Sequence, residues 1–170
     1  SRCEGGRPHA PGILGLLGGG LDLLHLEVAR ARDVLWAMEQ ALGCPALSAV
    51  VGEVWGDPPA LGFTATKRLA LRAERGGVRA WLLRRAATPD LSAARERWRV
   101  GSFPSPPAPD DPHGPGEALW RAALFRSRRS TPGEWMARHD PAQGGLVLAQ
   151  GPGQATGRGT ALDRRGPKVA

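Results

Sequence analysis

The run Leu47–Val54 (LSAVVGEV), followed by residues 64–78 (TATKRLALRAERGGV) and Val78–Leu83 (VRAWLL), decides the fold of this chain. The first run is compact, apolar and of strand length, as expected for a strand covered on both faces. Asp57, Pro58 and Pro59 then break the chain. Thr64 offers a helix cap, Ala65, Leu69 and Ala73 fall on one helical stripe, and Gly76 and Gly77 end the segment. Val78–Leu83 reads as a second buried-type strand. Strand, helix, strand is the rhythm of a parallel sheet with a crossover helix.

Outward toward the N-terminus, Asp33 is placed to cap VLWAMEQAL, whose Val34, Leu35, Met38, Ala41 and Leu42 line one face. Gly43 stands where a helix end favours a left-handed residue. Leu23–Ala29 alternates weakly and reads as a further short buried strand, so residues 21–86 are expected to form a parallel α/β part. Residues 1–20 are Gly-rich, show no helical period and are expected to be a disordered or truncated leader.

Toward the C-terminus the grammar changes after Pro89. Arg95–Val100 (RERWRV) alternates, with Glu96, Trp98 and Val100 on one face and Arg95, Arg97 and Arg99 on the other. Residues 101–116 read as a Pro-rich loop. Ala118–Arg126 is assigned to a strand, because Arg129–Gly133 (RSTPG) reads as a hairpin turn into Glu134–His139. Leu146–Ala149 adds a last strand, so residues 94–150 form an antiparallel β extension, and 151–170 a flexible basic tail. The expected fold class is α/β.

Composition narrows the partners. The chain has 170 residues, a net charge of +7, 24 Gly and 16 Pro, and its lysines are Lys67 and Lys168 alone. Arginine therefore carries the charge, in a form suited to phosphate and carboxylate. Abundant Ala, Gly and Pro with no Tyr also fit a G+C-rich coding sequence that raises arginine regardless of function. Residues 64–100 hold ten basic and three acidic side chains, which concentrates the positive field there. Cys3 and Cys44 lie far apart, without the spacing of a zinc box or a disulfide framework. No apolar run reaches membrane-span length and no signal-peptide layout is visible, so a cytoplasmic protein is expected.

Several segments, DVLWAMEQAL (33–42), ALSAVVGEVWG (46–56), TATKRLALRAERGGV (64–78), RERWRV (95–100), LFRSRRSTPGEW (124–135) and the acidic Asp140, resemble in order and spacing the ImuA-type proteins. The resemblance covers about residues 20–148. It implies a RecA-like core and an accessory role in SOS-linked, error-prone translesion synthesis. The implied partners are an ImuB-like inactive relative of Y-family polymerases and an error-prone replicative-type polymerase. Family members carry a further N-terminal section before the segment matching residue 20, which this sequence lacks.

No catalytic constellation emerges. Gly151–Thr160 (GPGQATGRGT) misses phosphate-loop spacing by one residue and has Arg158 for the lysine. Glu53, at a strand end where the RecA-like resemblance would place a magnesium-linked acid, is a residual cofactor candidate. Its competing reading is a solvated carboxylate or a partner of Arg84. The remaining candidates are Arg95, Arg97 and Arg99, about 7 Å apart along one strand face, and Arg126, Arg128 and Arg129 before a turn, with Trp135 as a stacking surface. Three readings stay open for these arginines: DNA contacts, contacts to an acidic partner surface, and an ordinary solvated face. Trp36 and Trp81 are assigned to the core. Trp98, Trp120 and Trp135 are expected to pack across strands or to anchor an interface.

Overall fold

The structure, a computed structural model, describes residues 7–17, 22–140 and 145–150. In chain order its elements are α1 (Ala10–Leu17), α2 (Ala31–Ala41), β1 (Ala49–Trp55), α3 (Phe63–Gly76), β2 (Arg79–Arg85), β3 (Glu96–Phe103), β4 (Pro107–Ala108), β5 (Asp111–Pro115), β6 (Leu119–Ser127), β7 (Gly133–Asp140) and β8 (Gly145–Gln150). The protein is mixed α/β, with one parallel pair and antiparallel sheets. The described residues divide into two compact units, one built on 22–95 with 7–8, the other on 96–140 and 145–150 with 9–17.

The first unit is a βαβ motif. β1 and β2 run parallel, from Ala49 opposite Arg79 to Trp55 opposite Arg85. Leu35 and Met38 of α2, Leu42 at its C-cap and Leu69 of α3 pack with Val54, Leu61 and Val78 into one buried cluster. Val34, Ala65 and Ala73 pack against it, so the helical stripes read from sequence face the core as expected. Gly77 ends α3 with φ 66°, the left-handed turn that a residue without Cβ adopts freely.

Five local expectations fail in this unit, each for a visible reason. LSAVVGEV is covered on one face only: Gly52 and Val54 are buried, while Val51 and Trp55 on the alternate face are exposed. Leu23–Ala29 is no strand; residues 22–28 are irregular and exposed, and among the described residues β1 has no ladder partner but β2. Trp36 and Trp81 are 63% and 53% exposed, so neither is core. Asp33 and Thr64 fall inside the first turns, after N-cap residues Arg30 and Gly62 that make no side-chain cap. Asp33 there still complements the helix dipole. Gly43 lacks positive φ, since α2 closes through the right-handed Leu42.

The second unit is a four-stranded antiparallel sheet in the order β3-β6-β7-β8. The strand assignment of 118–126, the hairpin turn and the last strand all hold. Pairing puts Trp98, Val100, Trp120, Ala122, Leu124, Trp135, Ala137, Leu146 and Leu148 on one face. Only Leu124 and Ala137 of these are buried. The Pro-rich segment is not wholly loop. Gly101, Ser102 and Phe103 extend β3, and β4 pairs with β5 in a small hairpin. Gly116 closes that hairpin by donating to the Pro106 carbonyl at 2.8 Å; a Cβ there would sit 2.6 Å from the same oxygen. Residues Ala10–Leu17, expected to lack helix, form α1. The Gly151–Thr160 stretch and the basic tail lie outside the described residues.

Candidate functional site

In the first unit Glu39, Glu53, Asp57 and Glu74 are matched to arginines. Glu39, 8% exposed, pairs with Arg68 at 2.6 Å, and Glu74 pairs with Arg95 at 2.6 Å. Glu53 pairs with Arg85 at 2.6 Å and not with Arg84, because Arg84 is taken by Asp57. Asp57 also accepts the N–H and the hydroxyl of Thr88. The Thr88 hydroxyl first, then its N–H and Arg84, hold the Asp57 carboxyl below the ordinary carboxylate range, against the opposing effect of burial. This clasp joins the C-terminal ends of β1 and β2, beside Ala86 at φ 47° and Gly56 at φ 66°. Sequence reading missed it, because an Asp before two prolines reads as a turn residue.

The ion pairs redistribute the charge expected of 64–100. Arg68, Arg84, Arg85 and Arg95 are each held by a carboxylate. Arg95 accordingly leaves the group read from alternation: it precedes β3 and is tied to α3.

The second unit keeps the other candidates together. Arg97 and Arg99 both stand over the Phe125 ring, with guanidinium carbons 4.9 and 5.7 Å from its centroid. Arg126 is the direct cross-strand partner of Arg97. Arg128 and Arg129 follow in the exposed turn between β6 and β7, where the Ser127 hydroxyl accepts the N–H of Arg129 and of Ser130 at 3.1 and 2.9 Å. Among the described residues, Arg99, Arg126, Arg128 and Arg129 form no ion pair. The acids nearby are engaged: Glu96 accepts from the Trp98 indole at 3.2 Å, and Glu134 takes a two-pronged bond from Arg121 at 2.5 and 2.8 Å. That bond holds the Glu134 carboxyl below its ordinary range.

Trp135 is not beside these arginines. Its ring lies 5.6 Å from that of Trp98, on the sheet face opposite Phe125, and it covers the backbone at Gly133. The aromatic residue among the arginines is Phe125, which sequence reading passed over as one apolar position in a strand.

The two units thus define a mixed α/β protein in which carboxylates hold Arg68, Arg84, Arg85 and Arg95 of the first unit, while Arg99, Arg126, Arg128 and Arg129 gather toward one end of the second unit's sheet. No family model and no solved structure matches the chain. Protein ImuA of Caulobacter vibrioides, in strains NA1000 / CB15N and ATCC 19089 / CIP 103742 / CB 15, is 40% identical over 140 residues, covering 75% of this chain and 54% of the relative. The chain spans about half the length of these curated relatives. Over that shared stretch it belongs to the ImuA-type proteins.

Proposed function

We propose that this chain is a non-catalytic accessory component of SOS-linked, error-prone translesion synthesis, acting in the cytoplasm by binding. Its protein partners are an ImuB-like inactive polymerase homologue and, through that assembly, an error-prone replicative-type polymerase, with DNA as a further ligand. The observation that carries this reading is the 40% identity to ImuA over 140 residues. The βαβ unit, with α2 and α3 packed on β1 and β2, supports reading it as part of a RecA-like core. Glu53, the one acid considered for a cofactor, is occupied by Arg85.

A pull-down with the ImuB homologue from the same genome tests the proposal. Retention at micromolar concentration is expected, and its absence sinks the partner reading. ATP turnover by the purified chain would overturn the non-catalytic one.

An independent nucleic-acid-binding module is the second reading. What favours it is the gathering of Arg99, Arg126, Arg128 and Arg129, without ion pairs among the described residues, toward one end of the second unit's sheet; elsewhere in 64–100, carboxylates hold Arg68, Arg84, Arg85 and Arg95.

A further inference from the structure

We infer that the outer face of the β1–β2 pair, formed by Val51, Trp55, Trp81 and Leu83 with Arg79 at its rim, docks an amphipathic α-helix of a protein partner. That helix is apolar on the side it lays down and acidic where it meets Arg79. The inference rests on the protein-binding arm of the proposed function and names its surface.

Both helices that pack on this pair lie on one side of it. Val50, Gly52, Val54 and Leu82 face them, and α2 comes so close that a Cβ at Gly52 would collide with the Met38 sulfur. Alternate residues of a strand take the opposite face. Val51, Glu53 and Trp55 of β1 therefore share the outer side with Arg79, Trp81, Leu83 and Arg85 of β2. Within the first unit nothing covers that side: Val51 is 61%, Trp81 53%, Leu83 47% and Trp55 45% exposed. Parallel strands are otherwise found with both faces covered, as a rule by helices. Large apolar side chains grouped in this way, with charges at the rim, have the anatomy of an interface.

Shape and charge select the occupant. Two strands with their side chains are about 10 Å across, the diameter of one helix. The seven residues of each strand run about 23 Å, which about fifteen residues of helix match. Glu53 is already held by Arg85 at 2.6 Å, and Arg79 forms no ion pair among the described residues, so the charge left on the face is positive. An acidic helix complements it. A second copy laid face to face would add another positive charge to the same interface. A nucleic acid would find one unpaired arginine here and, at Val51 and Leu83, aliphatic surface where a base stacks on a ring.

The test titrates the full chain, by fluorescence anisotropy, against the labelled ImuB homologue and against two designed helices of about fifteen residues, one striped Leu/Glu and one Leu/Lys. Trp81→Ala is expected to weaken binding of the homologue about thirtyfold, the loss typical of an aromatic anchor. Trp81→Phe should recover most of it, and Trp36→Ala, at the exposed tryptophan of α2, should change nothing. Arg79→Gln is expected to slow association and to narrow the preference for the Leu/Glu over the Leu/Lys helix. Melting temperatures of the Trp81 variants should match that of the unmodified chain, because an exposed ring holds no core. A marked drop would mean that the chain covers this face itself, and overturns the inference. So does self-association or oligothymidylate binding that Trp81→Ala abolishes, which gives the face to a second copy or to nucleic acid. Undiminished binding of the homologue by Trp81→Ala removes this inference alone. Failure of the unmodified chain to hold the homologue, with Trp81-dependent binding of the Leu/Glu helix intact, removes the accessory role alone, and failure with both probes removes both.

Discussion

The two units solve the problem of stability differently. The first buries seven apolar side chains in one cluster between two helices and one face of a parallel pair. The second has a longer ladder but, among its described apolar residues, buries only Leu124 and Ala137, and relies on strand pairing, ion pairs and one tryptophan contact. Ion pairs do not divide the units: among the described residues Arg72, Arg75 and Arg79 of the packed unit form none, and neither do Arg99, Arg126, Arg128 and Arg129 toward one end of the ladder sheet. A thin sheet displays side chains on two faces, and a packed layer gives one of its faces to the core. The second unit therefore displays two faces, and the first one alone.

The contrast can be broken most forcefully at Leu42, the fully buried side chain of the first unit. Leu42→Ala is expected to cost about 2–5 kcal/mol, because the cavity opens between two helices that cannot collapse around it. Denaturant unfolding followed by circular dichroism measures it, and a cost under about 1 kcal/mol would show that this cluster is not what holds the unit. A smaller effect is expected in the ladder unit. A double-mutant cycle on Trp98→Ala and Trp135→Ala should return a coupling of about 0.5–1.5 kcal/mol for the tilted ring pair, and zero coupling would remove the contact from the account.

The smallest effect is a pH dependence. Asp57 and Glu134 both have carboxyls held below their ordinary range, by Thr88 and by Arg121. Their contribution is therefore fully present above the unfolded-state values, near 4, and is lost as pH falls through the lower folded-state ones. Thermal melts at pH 6 and pH 3 should show a shallower acid loss for Asp57→Asn and for Glu134→Gln than for the unmodified chain. An identical loss would mean that neither pairing persists in solution.

Much of this architecture was legible in the residues. Periodicity found both faces of α2 and α3, and turn chemistry found the β6–β7 hairpin, because helix stripes and Pro-Gly turns are local signals. What failed depended on neighbours. Leu23–Ala29 alternates as a strand does, yet finds no ladder partner among the described residues. Val51, Trp55 and Trp81 are as apolar as core residues but lie on the uncovered face of β1 and β2. The candidate site was half legible for the same reason: alternation grouped Arg97 with Arg99 but could not foresee the bulge that brings Phe125 beneath them, nor the Glu74 that draws Arg95 away. Trp135 looked adjacent in sequence and is a face away in space.

The division of surfaces between the two units is tested most directly by hydrogen–deuterium exchange of the full chain with and without oligothymidylate. The account predicts new protection in 96–103 and 119–130, with α3, β1 and β2 unchanged. Protection confined to 63–85, with the β3 and β6 ladder unaffected, would contradict it.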